Sequence, residues 1–354
     1  MNSQIREWCD RIRLAGQSGT ALELRGGGTK AFYGHAPEGE VLDTRAWRGV
    51  DSYEPTELVI TLRAGTPLTE VAEVLAERGQ ELPFEPPAFG EGATIGGVVA
   101  AGLSGPRRMA VGSLRDFVLG CRIVDGKGEV MRFGGQVMKN VAGYDVSRLM
   151  AGSMGTLALM LDVSLKVLPR PVADFSLRFE IDQATAINRL NQWGGQPLPI
   201  AASFWHEGAL YLRLAGAGAA VEAAVRSLGG EALGDDDATR LWREVREQTH
   251  PFFGGEAPLW RLSLPTDAPP QAVTGATALE WGGAQRWLRG EHDAVALRKA
   301  VAAAGGHATL FRGGDKSVGV FHPLSPVVAR INRRIKTALD PHGVFGPGRL
   351  YRED

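Results

Sequence analysis

The sequence predicts an α+β fold in two parts, a glycine-rich first domain over residues 1–172 and a second domain built on an antiparallel sheet from residue 173. Three observations carry this prediction. Small-residue runs recur as GEGATIGG (Gly90 to Gly97), VGSLRDFVLG (Val111 to Gly120) and AGSMGTL (Ala151 to Leu157). The last leads directly into Leu157, Leu159, Leu161, Val163, Leu165 and Val167 at every second position, the period of a strand with one buried face. After Ala173, strands alternate with single helices, which suggests an antiparallel sheet covered on one face and built from two related halves. A chain of 354 residues with 44% hydrophobic content is long enough for two cores.

Taken in order, Ile5, Trp8, Cys9 and Ile12 share one face of an N-terminal helix, which is too charged to be a signal peptide. A short strand at Ala21 to Leu24 runs into RGGGTK (Arg25 to Lys30). Gly26, Gly28 and Ala31 fit the dinucleotide pattern G-x-G-x-x-G/A, and Asp43 ends the next apolar run near the position of a ribose-binding acid. The intervening AFYGHAPEGE, broken by Gly34, Pro37 and Gly39, cannot form the crossover helix that this pattern requires. What survives is a loop that cradles phosphate on backbone amides, with Arg25 and Lys30 supplying charge. Glu57 to Ala64 reads as a strand, followed by a helix with Thr66 as N-cap, Pro67 as first residue and Gly79 at its close. Phe117 to Val124 and Val130 to Phe133 pair through the turn Asp125-Gly126-Lys127-Gly128.

In the second domain the strands are Phe175 to Ile181, Ile200 to Trp205, Ala209 to Leu214, Leu259 to Leu264, Thr277 to Trp281, Ala284 to Leu288 and His307 to Phe311. Helices fall at Ala184 to Trp193, Ala219 to Leu228, Ala238 to Gln248 and Asp293 to Ala304. Ser325-Pro326 opens a last helix with Val328, Ile331, Ile335 and Leu339 facing inward and Arg330, Arg333, Arg334 and Lys336 outward. The stretch DPHGVFGPGRL (Asp340 to Leu350) then forms a fixed loop.

The net charge of −1 argues against a nucleic-acid partner. Two distant cysteines, Cys9 and Cys121, leave this chain without ligands for an iron–sulfur cluster or a cysteine-rich zinc site, and point to a reducing compartment. No apolar run approaches ~18 residues, the length needed to span a bilayer. Three glycine-rich loops within the middle of the first domain, added to RGGGTK, point to a bound cofactor, because glycine lets backbone come close to a flat or anionic group.

RGGGTK, GATIGG, AGSMGTL and DPHGVFGPGRL resemble the pyrophosphate loop, the second and third flavin loops and the C-terminal signature of the FAD-binding family that includes vanillyl-alcohol oxidase and the D-2-hydroxy-acid dehydrogenases. More narrowly, TKAFYG, YEPTELVITLRAGTPL, LPFEPP, GPRRMAVGSLRDFVLG and GGQVMKNVAGYDVSRLMAGSMGTLALMLDVSLKVLPRP are similar to the FAD-binding subunits of bacterial glycolate oxidase (glycolate dehydrogenase). The resemblance implies a PCMH-type FAD-binding domain of two α+β subdomains, about residues 1–85 and 86–172. It implies an antiparallel-sheet cap over residues 173–312 and a C-terminal segment, 313–354, whose helix returns to the FAD domain. Arg25, Gly26, Gly27, Gly28, Thr29 and Lys30 would bind the pyrophosphate. Gly92, Ala93, Thr94, Gly96, Gly97, Gly112, Ser113, Asp116, Gly152, Ser153, Gly155 and Thr156 would line the rest of the flavin and adenosine path. A side chain at Gly27 is expected to fill the space of the pyrophosphate.

Thr29 stands where relatives with covalent FAD carry a histidine, so the resemblance implies non-covalent FAD. The family's histidine-rich metal motif is reduced here to His307 and His322 without its compact spacing, so no metal is expected. Oxidation of a 2-hydroxy acid needs a group to fix the carboxylate and a base for the hydroxyl proton. The candidates are Lys139, Tyr144, His307 and His322, each with an ordinary structural reading as well, and Arg107 and Arg108 lie in a suitable loop to act as the cation.

By resemblance, the chain contributes to oxidation of glycolate to glyoxylate within a complex, beside a homologous FAD subunit and an iron–sulfur subunit that takes the electrons. The expected location is cytoplasmic, at the inner face of the membrane through those partners. The competing expectation is a non-catalytic assembly subunit that keeps the flavin fold while its homologue does the chemistry.

Overall fold

Helix α1 (Ser3–Ser18) buries Ile5, Trp8, Cys9, Ile12 and Ala15, the stripe its spacing predicts, against β1 (Leu22–Arg25) and β2 (Glu40–Asp43). The computed structural model describes residues 2–135, 145–270 and 274–352. β1 and β2 pair in parallel from Leu22–Glu40 to Arg25–Asp43, and the loop that joins them holds no helix. Then come β3 (Val50–Glu54), β4 (Val59–Arg63), α2 (Leu68–Ala76) and β5 (Gln80–Glu81). β3 escapes sequence reading because Val-Asp-Ser-Tyr-Glu is an edge strand with no continuous apolar face. Thr66 does not cap α2, whose N-cap is Pro67. Its buried hydroxyl instead accepts from Gly49 N at 2.9 Å and donates to Arg63 O at 2.6 Å, tying the ends of β3 and β4 together.

The first domain continues through α3 (Ile95–Ala101), α4 (Arg108–Val111), α5 (Leu114–Phe117), β6 (Val118–Val124), β7 (Val130–Gly134), β8 (Leu159–Lys166) and β9 (Leu168–Pro169). An antiparallel sheet of order β3-β4-β8-β6-β7 places β8 at its centre, and residues 159–165 are all buried. The expectation of one buried face therefore fails. Two layers cover β8: Leu159 and Leu161 pack with α1, whereas Val163, Leu165 and Val167 pack with α2 and α3. Arg122 pairs with Asp162 and Ile123 with Met160, so Leu161 is a bulge residue without a partner on β6. The bulge switches the phase of the alternation midway along the strand.

The second sheet contains β10 (Ala173–Glu180), α6 (Gln183–Gly194), β11 (Ile200–His206), β12 (Ala209–Gly216), α7 (Gly218–Leu228), β13 (Glu231–Ala232), α8 (Asp235–Glu247), β14 (Leu259–Ser263), β15 (Ala276–Glu280), β16 (Gln285–Arg289), α9 (Ala294–Ala303) and β17 (His307–Arg312). Its eight strands are antiparallel in the order β13-β10-β12-β11-β15-β16-β14-β17. Counted outward from the β11–β15 contact, each half runs second, third, first, fourth strand, so two copies of one topology meet edge to edge. α6, α7 and α9 cover one face. The other face is not left open, as one-sided covering would require: Phe204, Ala278 and Trp287 meet Leu241, Trp242 and Val245 of α8, together with Tyr33, Ala101 and Leu103 of the first domain.

Helix α10 (Pro326–Leu339) reverses another expectation. Ser325 caps it, but Val328 and Ile331 are 43% and 49% exposed, while Lys336 turns inward. Lys336 Nζ donates to Thr156 O, Phe345 O and the Asp340 carboxylate, each at 2.7 Å, because only the C-terminal end of the helix docks. Beyond it, Leu22 N donates to Val344 O at 2.7 Å and Phe345 is fully buried, which brings the chain's last segment onto β1.

Glu280, at the end of β15, is enclosed and accepts from Trp287 Nε1 at 2.5 Å and Gln285 Nε2 at 3.0 Å. Burial raises its pKa from 4.5 to about 7. A raised carboxyl pKa favours the folded state below pH 4.5, and that contribution is lost as pH rises towards 7. The Glu280→Gln protein should lose roughly 3 kcal/mol less stability than wild type across this interval. Denaturant midpoints at pH 5 and pH 8 check this, and equal declines in the two proteins would show that Glu280 ionises freely.

Candidate functional site

β1 delivers the chain into residues 26–30, where two glycines are demanded by a neighbouring loop. A Cβ on Gly26 would lie 2.2 Å from Thr94 Oγ1, and one on Gly27 would lie 1.5 Å from Gly92 O. The obstacle to a side chain at Gly27 is therefore protein backbone, and the expected clash with a ligand alone is corrected by this loop-to-loop approach. Thr94 in turn caps α3, its hydroxyl accepting from Gly97 N at 3.3 Å, and Gly96 packs against Ala64.

The third loop is pinned to the end of α3: Gly152 N donates to Val99 O at 3.0 Å and Met154 N to Ala100 O at 2.8 Å. Ser153 Oγ donates to Met150 O and Thr156 Oγ1 to Ser153 O, so both hydroxyls stiffen the loop itself. Met154 sits at φ 52° between Gly152 at 85° and Gly155 at 74°, a left-handed conformation that costs a side-chain-bearing residue energy and that no sequence pattern announces.

These loops border a cleft of about 140 Å³ that opens to solvent on one side. Arg25, Gly26, Gly27, Gly28, Thr29, Lys30, Thr94, Gly96, Gly97, Ser153 and Gly155 line it, as do Leu24, Ala100, Met154, Met160 and Arg349. Gly92 touches Gly27 behind the wall, and Ala93 borders a separate cavity beside α2. Gly152 and Thr156 line an adjoining cavity against the C-terminal segment, which shares Ser153, Gly346 and Arg349 with the first. Gly112, Ser113 and Asp116 line none of these three cavities. Ser113 N and Oγ both donate to the Asp116 carboxylate at 2.8 Å, a capping box that starts α5 and that the S-x-x-D spacing itself signals.

The charges are distributed differently from the sequence expectation. Arg25 is clasped by Glu23 at 2.8 and 2.5 Å, which neutralises much of its charge. Lys30 Nζ donates to Ala88 O at 3.0 Å, bridging the loops, and burial lowers its pKa to about 8 against the pull of Glu247. Arg349 makes no ion pair among the described residues. Its guanidinium donates to Ala31 O at 3.1 Å and to His35 O, and it faces both adjoining cavities. Sequence reasoning placed Arg349 only within a C-terminal signature, since nothing local shows that residue 349 returns beside residue 31.

Lys139 and Tyr144 lie outside the described residues. His307 and His322 face each other with ring centroids 6.4 Å apart, away from the three cavities. Among the described residues no group of three His, Cys, Asp or Glu side chains is placed to hold a metal. Arg107 is buried in an ion pair with Glu81, whereas Arg108 is stacked 4.5 Å from the Trp281 ring.

A backbone-lined cradle with apolar walls and a cation at its rim fits a flavin dinucleotide. A family model described as an FAD binding domain matches residues 3–134. A solved structure of alkyldihydroxyacetonephosphate synthase superposes with a TM-score of 0.66 at 14% identity, covering 98% of this chain and 76% of that one. The class defined by this PCMH-type fold and its loops is that of FAD-binding proteins, and FAD is the cofactor. Over 344 residues, 97% of this chain and 96% of the relative, the sequence is 48% identical to glycolate oxidase subunit GlcE of Escherichia coli (strain K12). A shorter match, 32% over 149 residues, covers 42% of this chain and 32% of glycolate oxidase subunit GlcD of Bacillus subtilis (strain 168). The chain belongs to the FAD-binding family of the glycolate oxidase subunit GlcE.

The two sides of the loop contact make unequal demands. A Cβ at Gly92 would meet Gly27 O at 3.5 Å, an ordinary contact, whereas one at Gly27 must push the second loop away. Gly27→Ala should lower FAD occupancy after desalting at least about tenfold, because overpacking of this kind costs about 1–3 kcal/mol or more. Gly92→Ala should leave the thermal midpoint of the apoprotein within a few degrees of wild type. Full FAD retention by the Gly27→Ala protein would refute the assigned contact.

Proposed function

We propose that the chain is the FAD-binding subunit of a complex that oxidises glycolate, or a similarly short 2-hydroxy acid, to the 2-oxo acid and passes the electrons to an iron–sulfur partner subunit beside a homologous FAD subunit. The observation that carries this reading is the 48% identity over nearly the full length of a glycolate oxidase subunit, on a chain whose three pinned loops border one cleft. FAD, when bound, would supply the acceptor for the hydride of the alcohol, which carries both electrons. The chain's own residues hold and orient it. The RGGGTK backbone and Arg349 would face the pyrophosphate, and Ser153 and Gly155 would border the remainder of the cofactor. Residues 1–172 and 313–354 would form the FAD domain, and residues 173–312 would cap it.

If the electrons leave through an iron–sulfur cluster, its ligands would come from another subunit. Cys9 and Cys121 are both buried, and burial raises both thiol pKa values, that of Cys121 to about 12. Neither is a thiolate available to a cluster. No described helix is long and apolar enough to cross a membrane.

The purified chain should be yellow, and acid precipitation should release all of its flavin, since Thr29 offers no ring nitrogen for a covalent bond. Flavin on the pellet would contradict non-covalent binding. Alone, the chain should show little glycolate-dependent dye reduction, and zinc chelators should leave its flavin content unchanged. Anaerobic bleaching by glycolate should require the partner subunits. A colourless chain that still assembles the complex would instead establish the assembly role.

A further inference from the structure

Helix α10 is fully formed but barely packed. None of its 14 residues is buried, whereas α1, α2, α6, α7, α8 and α9 each bury two or more. Its C-terminal end is rooted, with Leu339 against the core of the first domain and Lys336 bonded to Thr156 O, Phe345 O and Asp340. Over residues 326–334, roughly 13 Å of helix at 1.5 Å per residue, only Ala329 is even half-buried. Val327, Val328 and Ile331 are 56%, 43% and 49% exposed. A helix of this length is marginal in water and is ordinarily held by burying an apolar face. Here Ser325 caps it and Pro326 opens it, so the free half is preformed and its apolar side uncovered.

The charges on this half are arranged to one side. Residues four apart on a helix stack into ridges. Val327 and Ile331 make one ridge, which Ile335 continues to the docked end. Arg330 and Arg334 make the ridge on one flank of it, with Arg333 farther round, while the other flank carries Val328 and Asn332. The three arginines are exposed, make no ion pair among the described residues, and stand in a stretch with no Asp or Glu between Asp315 and Asp340. The surface that covers this helix therefore has to supply both an apolar groove and negative charge. A helix lying on an anionic bilayer meets phosphates along both flanks and its whole length, but here only one flank is basic and the C-terminal half is already docked. A two-fold contact between copies would bring this acid-free helix against its own arginines.

We propose that the free half of α10 docks into an apolar groove with an acidic wall on a partner subunit of the complex. That partner's membership of the complex rests on the function proposed above. Val327 and Ile331, at i and i+4, and Val328 and Ile331, at i and i+3, have the spacing of anchors that fill such a groove, and Arg330 and Arg334 present fork-shaped donors to its carboxylates. The location suits electron transfer between subunits. Asn332, Ile335 and Lys336 of the same helix line the cavity that shares Ser153 and Arg349 with the flavin cleft, so the partner stands on a helix whose rooted end borders the cofactor region.

Co-expression with the homologous FAD subunit and a tagged iron–sulfur subunit tests the surface, by measuring how much chain is recovered per tagged subunit across a dilution series. Val328→Asp with Ile331→Asp, and separately Arg330→Glu with Arg334→Glu, should each weaken assembly about tenfold or more. An equal charge reversal on α7, Arg226→Glu, should leave assembly unchanged. Because the altered side chains are exposed, each isolated variant should keep the wild-type FAD content and a thermal midpoint within a few degrees of wild type. Wild-type assembly by both double variants would sink the docking face while sparing membership of the complex. A wild-type chain that joins neither subunit would refute both the partner and the function on which it rests. Sedimentation of the isolated chain with vesicles of one part phosphatidylglycerol to three of phosphatidylcholine, abolished by the arginine reversals, would assign the face to lipid and overturn the proposal. Concentration-dependent self-association abolished by Val328→Asp with Ile331→Asp would overturn it in favour of a second copy.

Discussion

The approach of Gly27 to the carbonyl of Gly92 is the constraint on which the cofactor region depends. Two loops from different parts of the sequence come together at a distance that excludes even a methyl group on Gly27. Because Thr94 both touches Gly26 and caps α3, the same contact sets where that helix begins. The third loop then hangs from the end of α3 through Val99 and Ala100, and Lys336 clamps Thr156 and Phe345 from behind. A displacement at Gly27 would therefore press on the Thr94 loop, from which α3 and the third loop follow.

The second sheet is organised around a different requirement. Phe204 and Trp205, like Ala278 and Leu279, are adjacent residues that are both buried on opposite faces, so the sheet must be covered twice. α6, α7 and α9 meet one face, whereas α8 and pieces of the first domain meet the other. The seam is therefore part of a core, and the polar groups in it, Arg108, Arg261 and Glu280, are held in an environment where charge is expensive. Around Lys30 and Arg349 the same cost accompanies the cavity itself, since burial lowers both pKa values.

The sequence by itself determined the strongly periodic elements and the chemistry of the loops, whereas β3 and the short helices α3, α4 and α5 carried no such signal. The stripe Ile5, Trp8, Cys9 and Ile12, the turn at Asp125 to Gly128 and the alternation after Ala173 are local signals, and each element stands within a few residues of its reading. RGGGTK, GATIGG and AGSMGTL were legible as close-approach loops because repeated glycine removes the side chains that would hold a neighbouring group away from the backbone. The exclusion of a crossover helix after RGGGTK was equally local, set by Gly34, Pro37 and Gly39.

Only the tertiary structure decided what those signals serve. Periodicity cannot show that β8 is covered twice or that a bulge at Leu161 reverses its phase, because both depend on neighbouring strands. Likewise, Lys336 reads as a solvated cation until Thr156 and Phe345 are placed beside it, and Ser113 with Asp116 reads as ligand-facing until their mutual cap is seen. Arg349 beside Ala31, and Arg108 against Trp281, are separated by far more chain than any local pattern spans. Long-range packing fixes which charges find a counter-ion and which do not.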